Sequence, residues 1–280
     1  MSTPLRIAIS TCPNDTFTFH GLMSGDVPTD EVSVQFHLAD VQELNEGVRD
    51  GRFDVAKVSF RAALAHSKDY WVLPVGAALG FGNGPLLLSR DEGRVPGPGD
   101  RVLGPGSATT ADLLFRMFHG TSGARVEQAL FSEIMPALHA GKADFGVCIH
   151  EGRFTYRQEG LFLVEDLGKR WEEETGCPLP LGGLVARKSL GVPFLERIVG
   201  WLRTSLDLAL GDPEAALPTM RRYAQSLSDE VIRAHVELYV NDNTRELGAA
   251  GREALRVFAE RAQLLCGSPS ADPLVVFTPR

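Results

Sequence analysis

Short β-rich runs alternate with helical patterns from the N-terminus to about Leu190, and this alternation narrows the fold more than any other feature. Strand patterns cover Leu5–Ser10, Val32–Leu38, Phe53–Phe60, Tyr70–Val75, Pro85–Ser89, Val102–Leu103, Arg125–Leu130, Asp144–His150 and Leu181–Ala186. Helical patterns fall between them over Val41–Asp50, Ala62–His66, the stretch following Thr110, and Glu133–Ala140. Asn14 or Asp15 is positioned to cap a first helix after Ser10. The tract 154–180 is mixed, and beyond 190 the pattern is helical in three or four segments. Strands alternating with helices imply βαβ units, largely parallel sheets and an α/β fold.

One internal echo sharpens this. Val48-Arg-Asp-Gly51-Arg-Phe-Asp54 leads into the strand ending at Ser59, and Leu138-His-Ala-Gly141-Lys-Ala-Asp144 leads into the strand ending at His150. Each is a helix end, a glycine, a basic residue, an aspartate three places after the glycine, and a strand. Ligands of parallel sheets bind beyond the carboxyl ends of the strands. Two such units in two lobes would therefore aim Ser59 and His150 at one cleft. The same G-x-x-D pattern also serves as a common helix-to-strand turn, so the echo alone does not make a site.

The chain has 280 residues, enough for one large domain or two small ones. Residues 91–100 are turn formers almost throughout and read as a surface loop near a lobe boundary. Lys plus Arg total 28 against 36 Asp plus Glu, a net charge of −8, with no basic block. Nucleic acid is therefore not an expected partner. No run approaches the ~18 apolar residues of a membrane span, and the first ten residues lack the features of a secretory signal. Cys12, Cys148, Cys177 and Cys266 form no C-x-x-C pair and no cluster with histidine. Reduced thiols in a cytoplasmic protein, with no metal, are the expectation.

Two stretches carry polar chemistry. Gly104-Pro-Gly-Ser-Ala-Thr109-Thr110 joins a strand to a helix, exposing N–H groups and two hydroxyls at the positive end of the helix dipole. It suits a carboxylate or phosphate but is neither a Walker A loop nor a dinucleotide fingerprint, and an ordinary N-cap has the same composition. Ile149-His150-Glu151-Gly152-Arg153-Phe154-Thr155-Tyr156 is the densest polar cluster beside an apolar strand. There His150 can act as a general base. Glu151 can orient it or face solvent, and Arg153 can meet a substrate carboxylate or pair with an acid. Lys57, two places before Ser59, can neutralise an anion or snorkel from its strand. The remaining histidines, His235 among them, show no ligand spacing and read mostly as surface or capping residues. The expected ligand is a small anionic organic molecule.

Together these motifs resemble the 1,4-dihydroxy-6-naphthoate synthase family of menaquinone biosynthesis. The resemblance is carried by Cys12-Pro-Asn14-Asp15-Thr-Phe17, Lys57-Val-Ser59, Gly80-Phe-Gly-Asn-Gly-Pro85, Thr109-Thr110 and the Ile149–Tyr156 stretch. It continues through Trp171–Gly176, Pro178–Gly182, Leu227–Ile232 and Tyr239–Asn241, in order along nearly the whole chain. Gly152 stands where the family commonly has Ser, and Ser10-Thr11 where it commonly has Ser-Pro.

The resemblance implies a periplasmic-binding-protein-like fold of two lobes with a central ligand cleft and no cofactor. Two crossover segments would fall near 89–93 and 186–190. A larger lobe would comprise 1–90 plus 188–280, its C-terminal helices packed back on it, and a smaller lobe 91–187. The implied activity is a lyase acting on cyclic dehypoxanthinyl futalosine, with His150 as general base. Lys57, Ser59, Thr109 and Thr110 would line the substrate cleft, with Asn14, Asp15, Glu151 and Arg153 as further substrate-binding candidates. Chorismate dehydratase, on the same fold, and a non-catalytic solute-binding protein are the alternatives. A homodimer is left open.

Overall fold

The computed structural model describes residues 3–150, 152–224, 227–266 and 273–279. The strands are β1 (Leu5–Ser10), β2 (Val34–Ala39), β3 (Val55–Ser59), β4 (Tyr70–Val72), β5 (Ala78–Gly80), β6 (Leu86–Ser89), β7 (Arg101–Gly104), β8 (Arg125–Gln128), β9 (Phe145–Cys148), β10 (Phe162–Asp166) and β11 (Leu179–Arg187). Interleaved with them are α1 (Pro13–Thr18), α2 (His20–Ser24), α3 (Val41–Arg49), α4 (Phe60–Ala65), α5 (Thr110–His119), α6 (Phe131–His139), α7 (Gly152–Thr155) and α8 (Leu167–Thr175). The C-terminal helices are α9 (Val192–Gly211), α10 (Pro213–Tyr223), α11 (Asp229–Tyr239), the single turn α12 (Asp242–Arg245) and α13 (Ala249–Cys266).

The strands form two sheets. One is ordered β2-β1-β3-β11-β4, with β5 also paired to β11; the other is ordered β10-β6-β9-β7-β8. The expectation of largely parallel sheets needs correction. β2-β1-β3 and β9-β7-β8 are parallel, but every pairing of β6, β10 or β11 is antiparallel, including those of β11 with β3 and of β6 with β9. The parallel triplets are joined through helices, as βαβ units require. β6 and β11 enter from the other sheet instead, so no crossover helix sets their direction. Pairing places β6 in the second sheet and β11 in the first. The chain thus passes between sheets in 81–85 and again in 167–178, ahead of the 89–93 and 186–190 expected.

β3 and β9 are buried along their whole lengths, which is the condition of strands covered on both faces. One apolar cluster joins the two sheets, from Val58 and Val185 in the first to Phe145 and Val147 in the second, with Trp171 and Phe258 packed into it. A second cluster covers the other face of the first sheet, where Ile7, Ile9 and Val55 meet Ile198, Leu202 and Leu206 of α9. α9 also packs on α2, and α10 and α11 pack on α1, so the C-terminal helices return to the first sheet. The smaller third cluster packs α6 residues Ile134 and Leu138 on Leu86, Leu88 and Leu103 of the second sheet.

Candidate active site

A cleft of about 650 Å³ opens where the strand ends of the two sheets face each other. Its lining combines Ser10, Lys57, Ser59 and Gly182 of the first sheet with Thr109, Thr110, Ile149 and His150 attached to the second. Apolar Val41, Val58, Ala78, Pro85, Ala111 and Leu181 make up much of the remaining surface, with Asn14, Asp15, Asn83 and Gly84 and with Tyr239 from α11. A mostly apolar cavity with a few placed polar groups is the usual form of a small-molecule site. Gly182 has a steric reason: a Cβ there would lie 2.6 Å from the Val58 carbonyl oxygen.

The first-sheet wall is a closed polar network. Lys57 Nζ donates to Asp15 Oδ1 at 2.6 Å and to the Gly76 carbonyl at 3.0 Å. Asp15 Oδ2 accepts from Ser10 Oγ at 2.6 Å, and Asn14 Nδ2 donates to Asp15 Oδ1 at 2.9 Å. Asn14 and Asp15 therefore do not cap α1 as expected. Cys12 holds the cap position without a side-chain bond, and Pro13 begins the helix, where its missing N–H costs nothing. The sequence placed these polar groups correctly in the chain, but buried Lys57 draws the carboxylate inward. Ser59 is held by Asn45, whose Oδ1 accepts from Ser59 N–H at 2.9 Å and whose Nδ2 donates to Ser59 Oγ at 3.3 Å.

The opposite wall is the start of α5. Thr109 caps the helix by accepting from Asp112 N–H at 3.2 Å, and its hydroxyl donates to the Gly106 carbonyl at 2.7 Å. Thr110 Oγ1 donates to the Leu181 carbonyl at 2.8 Å. Both hydroxyl protons are thus spent on the protein, leaving oxygen lone pairs and the opening N–H groups of Thr110 and Ala111. Those N–H groups have no partner in the helical ladder and lie at the positive end of its dipole.

His150 stands just past the end of β9. Its backbone is left-handed, with φ 54°, an uncommon conformation outside glycine and one that collects at functional sites. The ring packs on Phe131 with centroids 4.9 Å apart and on His235 at 6.2 Å, nearly parallel. Although its edge reaches the cleft, these surroundings strip water from it. Desolvation pushes its pKa down to about 4, with Asp15 opposing the shift and Lys57 adding to it. The imidazole is therefore neutral at pH 7 and able to accept a proton. Cys148, two residues earlier, is buried, and desolvation pushes its thiol up to about 12, so it is no nucleophile at neutral pH.

The structure gathers His150, Lys57, Ser59, Thr109, Thr110, Asn14 and Asp15 on one cleft. Arg153 is not among the lining residues. Its guanidinium donates to the Gly84 carbonyl at 2.7 Å and to Asp166 Oδ2 at 2.7 Å, tying α7 to the passage between sheets and to the start of α8. Glu151 lies outside the described residues. Among the described residues no group of three His, Cys, Asp or Glu could hold a metal ion.

His235 corrects the sequence reading, which counted it with surface or capping histidines. It is fully buried. Its Nε2 bonds Asn14 Oδ1 at 3.0 Å, and its ring lies 4.4 Å from that of Tyr239. Burial drives its pKa well below the usual histidine range, and His150 and Lys57 push the same way. The signal was available: Ile232, His235 and Tyr239 are the buried residues of α11, spaced on one helical face.

Comparison with known proteins adds the family. A family model described as menaquinone biosynthesis matches residues 5–264. The 1,4-dihydroxy-6-naphthoate synthase of Streptomyces coelicolor is 44% identical over 265 residues, 92% of each chain. That of Thermus thermophilus is 42% identical over 279 residues, 97% of this chain and 99% of the relative. An Archaeoglobus fulgidus protein of known crystal structure superposes with a TM-score of 0.86 at 28% identity, covering 94% of this chain and 97% of its own. The alkanesulfonate-binding protein of Xanthomonas axonopodis pv. citri, solved with MOPS bound, reaches 0.72 at 16% identity over 99% and 98% of the two chains, a likeness of periplasmic-binding-protein fold alone. With its fold, its cleft and its relatives in agreement, the chain belongs to the menaquinone-biosynthesis family.

Proposed function

We propose that this protein is a 1,4-dihydroxy-6-naphthoate synthase, a lyase that takes cyclic dehypoxanthinyl futalosine as substrate and uses His150 as its general base. The observation that carries the mechanism is a neutral imidazole, with pKa about 4, on the wall of a largely apolar cleft facing the start of α5. His150 removes a carbon-bound proton of the spirocyclic substrate. The electron pair left behind drives fragmentation, the ring aromatises, and the sugar part departs. Aromatisation supplies driving force, so one well-placed base suffices. The opening N–H groups of α5 meet an oxygen-rich part of the substrate. Lys57, already bonded to Asp15, serves as a fixed charge in the floor of the site.

We further propose two lobes divided by strand pairing, one holding the first sheet with the C-terminal helices and the other holding β6 to β10. Closing them over the substrate excludes water and aligns the base. Among the described residues no helix is long and apolar enough to cross a membrane, and Cys12, Cys148 and Cys177 form no disulfide. Both accord with the cytoplasmic location we propose.

The test is direct. Purified protein is incubated with cyclic dehypoxanthinyl futalosine, without added metal or cofactor, and the products are separated by chromatography. Formation of 1,4-dihydroxy-6-naphthoate supports the assignment. Turnover of chorismate instead, or tight carboxylate binding with no turnover of either compound, overturns it.

A further inference from the structure

His150 has a partner that the proposed chemistry does not yet use. Cys12 Sγ lies 3.2 Å from His150 Nδ1 and 3.8 Å from Nε2. Among the described residues it is the hydrogen-bonding partner of that ring. The cysteine is rigidly placed. Its N–H donates to Ser10 Oγ at 3.2 Å, its carbonyl accepts from Asp15 and Thr16 N–H at 3.1 Å each, and it is buried. The two residues are 138 apart in sequence and come from opposite sheets, so their contact exists only when the two sides of the cleft meet.

A neutral imidazole carries one N–H and one lone pair, and the group bonded to one nitrogen decides which. A base used at one nitrogen needs the proton held at the other, the part taken by a third group in triad sites. Sulfur is a weak acceptor, but it is nearer Nδ1 than Nε2. Phe131 offers no acceptor, and the His235 ring lies nearly parallel at 6.2 Å, so its nitrogens are not in line with the His150 N–H. Resting on the reading of His150 as base, we infer that Cys12 is a positioning residue: its sulfur accepts the Nδ1–H of His150 and keeps the Nε2 lone pair available to substrate. During the reaction Nε2 gains the substrate proton while Nδ1–H remains on sulfur. No bond to sulfur forms, and no oxidation is involved. Because the contact spans the cleft, the productive tautomer is selected as the lobes close.

The experiment uses full-length protein labelled with 15N-histidine. The His150 ring signals are identified by their loss in His150→Ala, and protonation of each nitrogen is read from its 15N shift at pH 7. Wild type is expected to show Nδ1 protonated and Nε2 bare. Cys12→Ala should give a mixture of tautomers, whereas Cys12→Ser, whose oxygen can accept in the same place, should keep Nδ1–H. In turnover, Cys12→Ala should lose about ten- to a hundredfold in kcat, the scale of groups that orient a functional imidazole, with KM little changed. Cys12→Ser should recover part of that loss. An Nε2–H tautomer in wild type, an unchanged tautomer in Cys12→Ala, or a serine variant as slow as the alanine one would each overturn the inference. The tautomer is read without turnover. Undiminished activity of His150→Ala would therefore defeat the base assignment on separate grounds.

Discussion

After Val48 and again after Leu138 the chain closes a helix in the same way. Arg52 N–H returns to the Gly47 carbonyl at 2.8 Å, and Lys142 N–H to the Ala137 carbonyl at 2.9 Å, around Gly51 and Gly141, each at φ 66°. Asp54 Oδ2 then accepts from Arg6 N–H at 3.0 Å, and Asp144 Oδ2 from Arg101 N–H at 2.9 Å. Each aspartate N–H donates back to the same arginine's carbonyl at 3.0 Å. The units part only at the cleft. β3 runs on to Ser59, which starts α4 with φ −64°, and delivers Lys57 into a fully bonded network. β9 stops at Cys148, and His150 adopts a left-handed backbone with Cys12 sulfur as the hydrogen-bonding partner of its ring among the described residues. One scaffold thus positions two kinds of group. A fixed, paired charge can be buried tightly, whereas a base must keep an open lone pair and a loose tether.

Removing the loosely held group should have the largest effect. His150→Ala is expected to lose on the order of 10²–10⁴ in kcat, the usual scale for a general base. Ligand binding, measured by calorimetry with substrate or product, should change little. Near-wild-type turnover would mean that the two strand ends are not divided into floor and base.

The firmly held group should matter for stability instead. Lys57 and Asp15 are both buried, and breaking such a pair from one side typically costs about 3–5 kcal/mol. Lys57→Met should fall at the lower end, about 3 kcal/mol, because Ser10 and Asn14 still donate to Asp15. Denaturant unfolding measures this, and a loss within about 0.5 kcal/mol, the range of an ordinary surface change, would show that the pair is not what fixes the floor.

Protonation separates the two ends again. His150 titrates near 4 in the folded chain against about 6.5 when unfolded. Between those values the unfolded state binds more protons, so stability falls as pH drops from about 6.5 to about 4. His235, shifted the same way, adds to the loss. Activity should behave differently from that of an ordinary histidine base. A base near 4 keeps kcat/KM within about twofold between pH 7 and pH 5, while one at 6.5 would lose about 25-fold. A pH–rate profile bending near 6.5 would show that substrate-free His150 is better hydrated than its packing implies.

Much of this was legible because it is local. Helix, glycine, aspartate and strand lie within a dozen residues, so the paired units and the end at Ser59 could be read directly, whereas β9 ends at Cys148, two residues short of the strand end read at His150. The Thr109–Thr110 helix start was equally local. What escaped depends on distance along the chain. The His235 bond to Asn14 spans 221 residues, and Arg153 is claimed by Asp166 and by a carbonyl at Gly84. A basic side chain near a candidate base reads the same whether it meets a substrate or an internal acid. The direction of β6 and β11 was hidden for a similar reason: β6 pairs with β9 and β10, which come much later, and β11 with β3, β4 and β5, laid down before the chain first left that sheet.

The smallest effect tests the equivalence of the units most directly. A Cβ at Gly51 would meet the Arg187 guanidinium at 2.9 Å, and one at Gly141 would meet that of Arg90 at 2.9 Å. At Gly141 the Arg90 guanidinium is the flexible end of a long side chain and can move aside, which leaves the backbone as the main cost. At Gly51 the Arg187 guanidinium is itself bonded to the Gly51 and Phe53 carbonyls, so displacing it adds to that cost. An L-residue in the left-handed region costs about 1–2 kcal/mol, so Gly141→Ala should lose that much and Gly51→Ala somewhat more. Such losses with turnover preserved in both would mean that the turns are structural supports and that the functional difference resides in the strand ends. If Gly141→Ala also slowed turnover while Gly51→Ala did not, the turn before β9 would be helping to hold His150 in its strained backbone, and the scaffold could no longer be separated from the group it carries.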